Sequence, residues 1–405
     1  MNGPLDGMRV VDWTIFQQGP VAASMLGDLG AEVIKIEELG KGDPGRGLRT
    51  MTDATTALAR QANFYFETNN RNKKSLVLDL KKPGAKEIIY RLVERSDIFV
   101  QNFRPGVAER LGLDYDTLSK LNPRLIYAQG SGYGILGPES TRPALDPVGL
   151  ARSGFMNSLV VGDGSPPYPP GGISDQTVAT MLAYGVLAAV VARERFGVGQ
   201  KVDCSQISGM MWLQSLSIHT LLTLNRAPPP WCREAAANPL WNCYRCADGK
   251  WFFLSLGQAD RHWPALIRAI QRPELENDPR FVTSVERREN CREIIAILDE
   301  VFAAKSYQEW RRILSEDGNL IFESINSFTD LIDDPQVIAN NYIVDFEHPS
   351  RGTVKMVNLP VTLSKTPGSI RAPAPEYGQH TEETLVDICG YTWDEVAKLR
   401  EEQVI

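Results

Sequence analysis

The sequence is poor in the residues that disulfide frameworks, metal sites and histidine-based catalysis require. Its 405 residues include only 6 cysteines and 4 histidines. Cys243 and Cys246 form a single CxxC pair, with no second pair at the spacing of a zinc ribbon. This pair lies in alternating apolar and polar sequence just before the turn 247–250, a pattern that predicts a β-hairpin. We therefore expect structural thiols and no metal site.

The chain also lacks an excess of positive charge and an obvious membrane or export segment. Its net charge of −7 argues against a nucleic-acid or anionic-membrane partner, although a local basic patch can still hold a phosphorylated ligand. The apolar run 177–191 is short and rich in alanine and glycine, as in a buried packing helix. The N-terminal residues do not resemble a signal peptide. These features predict a cytoplasmic protein that binds neither nucleic acid nor membrane.

A third absence is the glycine fingerprint of dinucleotide-binding proteins. The segments 8–13, 22–29 and 32–37 predict strand, helix and strand, which is a βαβ unit with a parallel sheet. The first turn of such a unit carries G-x-G-x-x-G when it binds NAD. Residues 16–20 read Phe-Gln-Gln-Gly-Pro instead. This departure weakens the prediction of an NAD-dependent dehydrogenase.

Polar, glycine-containing loops follow several predicted strands. They are the loop of Gln17, the loop 102–106, the loop 130–134 and the approach to Asp175. Ligands of open parallel sheets bind beyond the carboxyl ends of the strands. The sequence therefore predicts a ligand site where these loops converge.

Asp175 is the acidic residue around which this site is expected to form. A segment rich in proline and glycine, 162–172, leads to it, and a helix of small residues, 177–193, follows it. An aspartate in the first turn of a helix is commonly a cap that accepts backbone N–H groups. A carboxylate presented there on flexible glycines is also suited to act as a covalent nucleophile. Residue chemistry alone leaves both interpretations open.

Nine motifs, in order along nearly the whole chain, resemble those of the family III CoA-transferases. This group includes the formyl-CoA:oxalate, carnitine and benzylsuccinate CoA-transferases. The matching segments are 5–12, 17–20, 29–37, 72–75, 101–106, 132–134, 171–175, 199–203 and 378–381. Each motif is weak by itself, and their order and spacing together are specific.

The resemblance implies an α/β fold with a large Rossmann-like domain and a smaller central α+β domain. The large domain takes its chain from both ends, and family members form homodimers whose chains are interlocked. The expected boundaries are 1–205 and 348–405 for the large domain, 233–322 for the small domain, and 206–232 and 323–347 for linkers. The resemblance also implies that CoA thioesters are substrates and that no cofactor is permanently bound.

For chemistry, the resemblance assigns the catalytic aspartate to Asp175 and an active-site glutamine to Gln17. In the family mechanism the carboxylate attacks the thioester carbonyl of the donor and forms a mixed anhydride. The released thiolate then forms an aspartyl-CoA thioester, which the acceptor carboxylate attacks. A carboxylate suits this role because it is already ionised at pH 7 and needs no general base.

Further positions match CoA contacts of the family, each with a structural alternative. Asn102 and Phe103 match contacts to CoA, with Phe103 beside the adenine or in the core. The predicted contacts also include Phe16, Gln18, Lys73, Lys74, Arg110 and Arg142. The basic side chains among them suit phosphates, or are solvated surface charges. Asp146 matches a second acidic residue, whereas Glu38 departs from an arginine that some relatives use to bind CoA.

Two relatives of this enzyme class remain as alternatives. α-Methylacyl-CoA racemases share the fold but need a histidine that would lie between 132 and 146, where this chain has none. Some relatives form heteromers with one inactive chain, and Asp175 would make this chain the active subunit. The donor and acceptor acids are less constrained. Benzylsuccinate or another substituted or aromatic acid as acceptor, with succinyl-CoA as donor, is the favoured pair, because of Tyr168 and the tryptophans of the central domain.

Overall fold

The computed structural model describes residues 3–47, 63–162, 164–229 and 231–405. The chain divides into two compact units. The large unit comprises Met1–Asn157, Pro167–Pro228 and Asn341–Ile405, and the small unit comprises Ser158–Pro166 and Pro229–Asn340. The large unit therefore takes its chain from both ends of the sequence. The finer positions of the predicted domain and linker boundaries stay a prediction.

Helices and strands alternate through the first half of the chain. The strands are β1 Arg9–Trp13, β2 Glu32–Glu38, β3 Lys73–Leu78, β4 Ile98–Gln101, β5 Ile126–Ser131, β6 Gln200–Ser205, β7 Trp241–Arg245, β8 Trp251–Ser255, β9 Phe322–Ser324, β10 Ile343–His348 and β11 Gly352–Val357. The helices are α1 Gln18–Asp28, α2 Phe64–Asn70, α3 Pro83–Glu94, α4 Val107–Leu111, α5 Tyr115–Leu121, α6 Asp146–Arg152, α7 Phe155–Ser158, α8 Ile173–Phe196, α9 Gln206–Leu213, α10 Ser215–Leu224, α11 Ala259–Ile270, α12 Ser284–Glu289, α13 Cys291–Phe302, α14 Tyr307–Ser315, α15 Pro335–Ala339, α16 Thr381–Glu383 and α17 Trp393–Glu401. A single π-helical turn follows α16 at Thr384–Ile388.

The large unit is built on a six-stranded parallel sheet in the order β3-β2-β1-β4-β5-β6. This order is that of the Rossmann fold, and the predicted fold class is confirmed. The chain moves outward from β1 to β3 and then returns to place β4 on the other side of β1. The loops after β1 and β4 therefore diverge above two neighbouring strands. That divergence opens a crevice at the carboxyl ends of the strands.

Helices cover both faces of the sheet, so apolar side chains of the strands are buried on both sides. Val10 and Ile98 face a cluster that includes Leu26 of α1 and Leu182 of α8. The residues next to them in sequence face a second cluster on the opposite side. That cluster joins the sheet to α3, α5 and the C-terminal segment, and it includes Val11, Phe99, Leu92, Leu118 and Leu399.

Helix α8 is longer than the sequence pattern predicts. It starts after Gly172, which has a φ of 71°, and ends at Gly197, which has a φ of 75° and donates its N–H to the Arg193 carbonyl. The helix has 24 residues, so by length and composition it could cross a membrane, contrary to the sequence-based expectation. The core helix of a soluble protein passes the same test, and 44% of its most apolar window is buried inside the protein.

The small unit contains a three-stranded antiparallel sheet, in the order β7-β8-β9, and the helices α11 to α14. The predicted β-hairpin is confirmed, since β7 and β8 pair antiparallel around the turn 247–250. Cys246 is buried in the core of this unit, and Cys243 is partly exposed. Trp263 fills the same core, whereas Trp241 and Trp251 are exposed.

Candidate active site

A cavity of about 770 Å³ opens at the carboxyl ends of β1, β4 and β5. Its wall consists of Ile15, Phe16, Gln17, Gln18, Asn102, Phe103, Arg104, Pro105, Val107, Arg110, Ser131, Gly132, Ser140, Thr141, Arg142, Pro143, Ala144, Leu145, Asp175 and Gln206. The loops after three neighbouring strands thus meet the first turns of α8 and α9. This is the location at which parallel sheets bind their ligands.

The loop after β1 is fixed by contacts to its backbone. Asn102 accepts the Ile15 N–H at 2.9 Å and donates to the Ile15 carbonyl at 2.8 Å. Asp43 accepts the Phe16 N–H at 3.1 Å, and Lys35 donates to the Thr14 carbonyl at 2.9 Å. Phe16 has a φ of 63°, a left-handed conformation that is costly for a bulky residue. The surrounding contacts hold the loop in this conformation.

Two buried lysines and two buried aspartates lie directly beneath this loop. Lys35 pairs with Asp43 at 2.7 Å, and Lys73 pairs with Asp12 at 2.7 Å. Desolvation lowers the pKa of Lys73 to about 8, although Asp12 opposes the shift. Lys73 also donates to Asn70 Oδ1 and to the Pro20 carbonyl, at 2.9 and 2.8 Å. All three of its N–H donors are therefore used inside the protein.

Gln17 lies against the glycines that precede α8. Its Nε2 is 3.5 Å from the Gly171 carbonyl oxygen. A methyl group on Gly172 would lie 2.6 Å from Gln17 Cδ, and closer still to the two amide atoms. Gly172 also has a positive φ of 71°. Glycine is needed here both for its backbone conformation and for the close approach of Gln17.

Asp175 occupies the first turn of α8, and a second carboxylate takes the capping role there. Asp146 Oδ1 accepts the Asp175 N–H at 3.0 Å. The Asp175 carboxylate itself accepts a hydrogen bond from Gln206 Nε2 at 2.7 Å, through Oδ1. Because Asp146 satisfies the backbone, the Asp175 carboxylate faces the cavity rather than capping its own helix.

The environment of Asp175 disfavours its charged form. Burial raises the pKa of Asp175 to about 6; the Gln206 hydrogen bond opposes this shift, and the Asp146 carboxylate adds to it. Burial also raises the pKa of Asp146, against the stabilising backbone hydrogen bonds of Ser174 and Asp175. Two carboxyl groups with raised pKa values at one helix N-terminus are typical of a functional site.

Three arginines lie on the cavity wall, and all three are exposed. Arg142 pairs with Glu139 at 2.8 Å and lies over the ring of Tyr133. Within the described residues, neither Arg104 nor Arg110 forms an ion pair with a carboxylate. The guanidinium groups of Arg104 and Arg110 are therefore available to an anionic ligand such as a phosphate.

Phe103 lies between this cavity and a smaller one of about 270 Å³. It packs on Trp13 with ring centroids 4.3 Å apart. The side cavity is also lined by Glu38, Asp79 and Lys81. This wall therefore carries charges of both signs, and Glu38 also pairs with Lys41 at 2.8 Å.

No group of three or more histidine, cysteine, aspartate or glutamate side chains is arranged to hold a metal ion in the ranges that the structure describes. None of the four histidines lies on the wall of the main cavity. The polar side chains on the described wall are carboxylates, amides, hydroxyls and guanidinium groups.

Comparisons with known proteins agree with this arrangement. The model of CoA-transferase family III matches residues 5–381. The chain belongs to this family. It is 33% identical to the succinyl-CoA--D-citramalate CoA-transferase of Chloroflexus aurantiacus, over 99% of this chain and 98% of that protein. It is 32% identical to the (R)-2-hydroxy-4-methylpentanoate CoA-transferase of Clostridioides difficile, over 99% of each.

A solved structure extends the similarity to the fold. The crystal structure of Rv3272 from M. tuberculosis aligns with a TM-score of 0.80 at 33% identity, covering 94% of this chain and 98% of that one. The protein is therefore a CoA-transferase with a Rossmann-like large unit, and CoA thioesters are its substrates.

Eight of the residues that the sequence assigns to the site of this CoA-transferase lie on the cavity wall. They are Phe16, Gln17, Gln18, Asn102, Phe103, Arg110, Arg142 and Asp175. Asn102 reaches the wall, but its amide is occupied by Ile15. Lys73 is buried beneath the wall, and Lys74 pairs with Glu32 and Glu383 on β2 and α16. Neither lysine lines the cavity, so the geometry gives no support to their predicted contact with CoA phosphates.

Sequence reasoning missed two residues of the CoA-transferase site that the structure brings to it. Gln206 is the first residue of α9, and only its position directly after β6 hints at a ligand site. Arg104 lies within the segment 101–106 but has no role assigned from the sequence. Outside this wall, burial and the charge of Asp175 raise the pKa of the Tyr65 hydroxyl group on α2.

The close approach of Gln17 to Gly172 predicts different effects for two alanine substitutions. Both Gly171 and Gly172 have a positive φ, so an alanine at either position costs about 1 to 2 kcal/mol of backbone strain. Only at Gly172 does the new methyl group collide with the Gln17 amide, because the space around Gly171 is open. We expect Gly172→Ala to lower the kcat of CoA transfer at least tenfold, since small displacements of positioned groups are costly.

Gly171→Ala is the matched control and should keep most of the activity at a similar loss of stability. Steady-state kinetics and urea denaturation of both variants provide the comparison. An equal loss of kcat in the two variants would contradict a specific contact between Gln17 and Gly172.

The raised pKa of Asp175 predicts that removing its charge stabilises the fold. The carboxyl pKa is about 6 in the folded protein and near 3.8 in the unfolded chain, so the folded state loses stability as the pH rises between these values. Above pH 6 the ionised Asp175 lowers the free energy of unfolding by roughly 2 to 3 kcal/mol. Asp175→Asn should therefore raise the free energy of unfolding by up to that amount at pH 7.5, and by much less at pH 4.

Urea denaturation at the two pH values measures this difference. Asp116→Asn, at an exposed position on α5, is the control and should change stability little at either pH. The prediction is wrong if Asp175→Asn is no more stable than the native protein at pH 7.5.

Proposed function

We propose that the protein moves CoA from an acyl-CoA donor to a carboxylic acid acceptor through covalent intermediates on Asp175. The observation that carries this proposal is the environment of the Asp175 carboxylate. Asp146 caps the helix in its place, Gln206 holds one of its oxygens, and the carboxylate lies on the wall of a large cavity. A carboxylate released from capping and fixed by an amide is suited to nucleophilic attack.

The proposed reaction has four balanced steps. A carboxylate oxygen of Asp175 attacks the donor carbonyl, and the C–S bond breaks to release CoA thiolate and form a mixed anhydride. The thiolate attacks the aspartyl carbonyl carbon, which releases the donor acid and forms an aspartyl-CoA thioester. The acceptor carboxylate displaces the thiolate to form a second anhydride. The thiolate then attacks the acceptor carbonyl, which restores Asp175 and gives the new acyl-CoA.

Gln17 supports this reaction from the other side of the cavity mouth. Its amide lies beside Gly171 and Gly172, just before the nucleophile, and the strained loop behind it is held by Asn102 and Asp43. We assign to Gln17 the role of a hydrogen-bond donor to the reacting acyl or carboxylate group.

The CoA moiety is proposed to lie along the arginine-bearing wall. Arg110 and Arg142 are the candidates for its phosphates, and Arg104 joins them because it lies on the same wall. Phe103 separates the main cavity from the side cavity and offers a ring face to the adenine. Phe16 and Gln18 line the path between them. Asn102 acts on this path through the Ile15 backbone that it holds.

The acids exchanged are proposed from chemistry and from the names of relatives. One relative is named for succinyl-CoA as its substrate, and we propose succinyl-CoA as a donor here. Benzylsuccinate or another substituted or aromatic acid is the proposed acceptor. Tyr168, exposed on the segment that leads to Asp175, is available to contact such an acid.

A covalent adduct on Asp175 is the decisive expectation for this mechanism. The native protein incubated with succinyl-CoA should gain the mass of CoA less one water, and Asp175→Ala should gain nothing. Asp203→Ala, which alters an exposed aspartate of β6, is the control and should still form the adduct. Intact-mass spectrometry after acid quenching measures all three proteins, and a panel of other acyl-CoAs identifies the donor class.

An identical adduct on native protein and Asp175→Ala would refute the role of Asp175. No adduct with any acyl-CoA would bring back two alternatives. One is a racemase-like reaction, which the absence of histidine from the cavity wall disfavours. The other is a subunit that acts only with a related chain, and co-purification from cells would detect that chain.

An interlocked homodimer is the proposed assembly, and an apolar surface supports it. Helix α10 has no buried residue. The side chains of Trp212, near the end of α9, and of Leu216 and Leu222 in α10 are 68%, 83% and 73% exposed to solvent. A patch of this kind on one chain indicates a protein interface, and we propose a second copy as its occupant.

The expected particle in light scattering is a dimer. Two differently tagged dimers, once mixed, should not exchange subunits until they are denatured and refolded together, because interlocked chains cannot separate while folded. A monomer, or rapid exchange, would contradict this assembly. A cytoplasmic location stays a proposal that cell fractionation would test.

A further inference from the structure

Gln206 is held more firmly than a chance neighbour of Asp175 would be. It is the first residue of α9, directly after Ser205, whose hydroxyl caps the helix at the Ser208 N–H. Its side chain is buried, and it packs against Gly149 of α6, where an added methyl group would lie 2.7 Å from Gln206 Cβ. The side chain is therefore fixed between three elements before any ligand binds.

The amide of Gln206 makes a single hydrogen bond although it is buried. Nε2 donates to Asp175 Oδ1 at 2.7 Å, whereas Oε1 has no partner among the described residues. A buried acceptor without a partner destabilises the folded protein. A side chain that served only packing would satisfy its amide or be replaced by an apolar residue. The observed arrangement is typical of a group placed for chemistry.

We propose that Gln206 is the oxyanion donor for the two steps in which the aspartyl carbonyl carbon of Asp175 is attacked. This inference rests on the proposed transfer through Asp175. It gives the two active-site glutamines separate roles. Gln17 lies beside Gly171 and serves the substrate acyl group, and Gln206 serves the carbonyl of the enzyme itself.

The two carboxylate oxygens of Asp175 have different surroundings and therefore different roles. Gln206 engages Oδ1, and no described side chain donates to Oδ2, so Oδ2 is the oxygen that attacks the donor. In the anhydride Oδ1 is then the aspartyl carbonyl oxygen. When the thiolate attacks Cγ, the C=O electron pair moves onto Oδ1, and on collapse the Cγ–Oδ2 bond breaks to release the donor acid.

The same oxygen carries the charge a second time. Attack of the acceptor carboxylate on the aspartyl-CoA thioester again moves the electron pair onto Oδ1, and the Cγ–S bond then breaks. In both steps the negative charge develops at the atom that Gln206 Nε2 already contacts. A donor 2.7 to 3.1 Å from that atom meets the geometric requirement of an oxyanion site.

Gln206 should matter least in the first step, where charge leaves the Asp175 carboxylate instead of accumulating on Oδ1. The hydrogen bond stabilises the ionised ground state, so its loss does not weaken the attacking oxygen. Removing the donor should therefore slow formation of the aspartyl-CoA thioester more than formation of the anhydride. The longer-lived anhydride would then lose its acyl group to water, and hydrolysis of the donor would compete with transfer.

Two variants and a control test this separation. Gln206→Met keeps the length of the side chain and removes the donor, and Gln206→Glu replaces it with a group that donates only when protonated. Gln214→Met makes the same chemical change at the end of α9, where the amide donates to the Met210 carbonyl. Rapid mixing with succinyl-CoA, released thiol and intact mass after acid quenching report the two steps.

For Gln206→Met we expect anhydride formation within a few-fold of native and thioester formation slowed about 10²- to 10³-fold. Because the anhydride then lasts longer, the ratio of donor hydrolysis to CoA transfer should rise. For Gln206→Glu the rate of thioester formation, relative to native, should recover as the pH falls from 8 to 6. Gln214→Met should behave as native.

The outcomes separate this proposal from the transfer mechanism. If native protein forms no adduct, or Asp175→Ala forms the same one, the proposed mechanism is wrong. The role of Gln206, which rests on that mechanism, is then wrong as well. If native protein forms the adduct on Asp175 and both Gln206 variants form it at the native rate, only the role of Gln206 is overturned. An equal slowing of both steps, with no recovery of Gln206→Glu at low pH, also overturns it, since a purely structural role predicts that pattern.

Discussion

The active site depends on one buried ion pair, between Lys35 and Asp43. Both side chains are almost entirely removed from solvent. Lys35 holds the carbonyl of Thr14, and Asp43 holds the N–H of Phe16. Removing either partner would leave an uncompensated charge in the interior, which is costly. The pair therefore keeps the loop in the strained conformation that brings Gln17 to the glycines before Asp175.

The second constraint is the topology of the sheet. The order β3-β2-β1-β4-β5-β6 sends the chain in opposite directions after β1 and after β4. The start of α8 contacts the loop after β1 through Gln17 and contacts α9 through Gln206. Gln17 and Gly171 meet at the site although they lie 154 positions apart along the chain. The fold thus brings together two loops whose sequences carry little information about each other.

The sequence predicts the parts of this arrangement that depend on local pattern. The βαβ unit, the hairpin of the small unit and the position of Asp175 at the start of an apolar helix are all visible as periodicity or as glycine and proline placement. The ordered motifs add the family. Eight of the ten residues assigned to the site lie on the cavity wall, because they follow strands whose carboxyl ends share one edge of the sheet.

What the sequence misses depends on burial and on partners distant in the chain. In the sequence, Lys73 resembles a surface cation next to Lys74. Only the fold shows that it is buried and pairs with Asp12, 61 residues away. Gln206 is the first residue of a helix, and its sequence does not show that the fold places the Asp175 carboxylate 2.7 Å from its amide. The longer extent of α8 has a similar origin, since Asp146 supplies the cap that its own sequence lacks.

The discontinuous large unit has a consequence for how the protein is made. One face of the sheet is covered in part by Leu385, Val396, Leu399 and Val404, and the Val404 carbonyl accepts the Asp79 N–H at 2.8 Å. A ribosome synthesises the whole small unit between the sheet and these residues. The nascent chain therefore leaves part of this apolar cluster uncovered during that interval, when chaperones are the natural protection against aggregation. Catalytic competence is decided late in translation, although the residues that react are synthesised early.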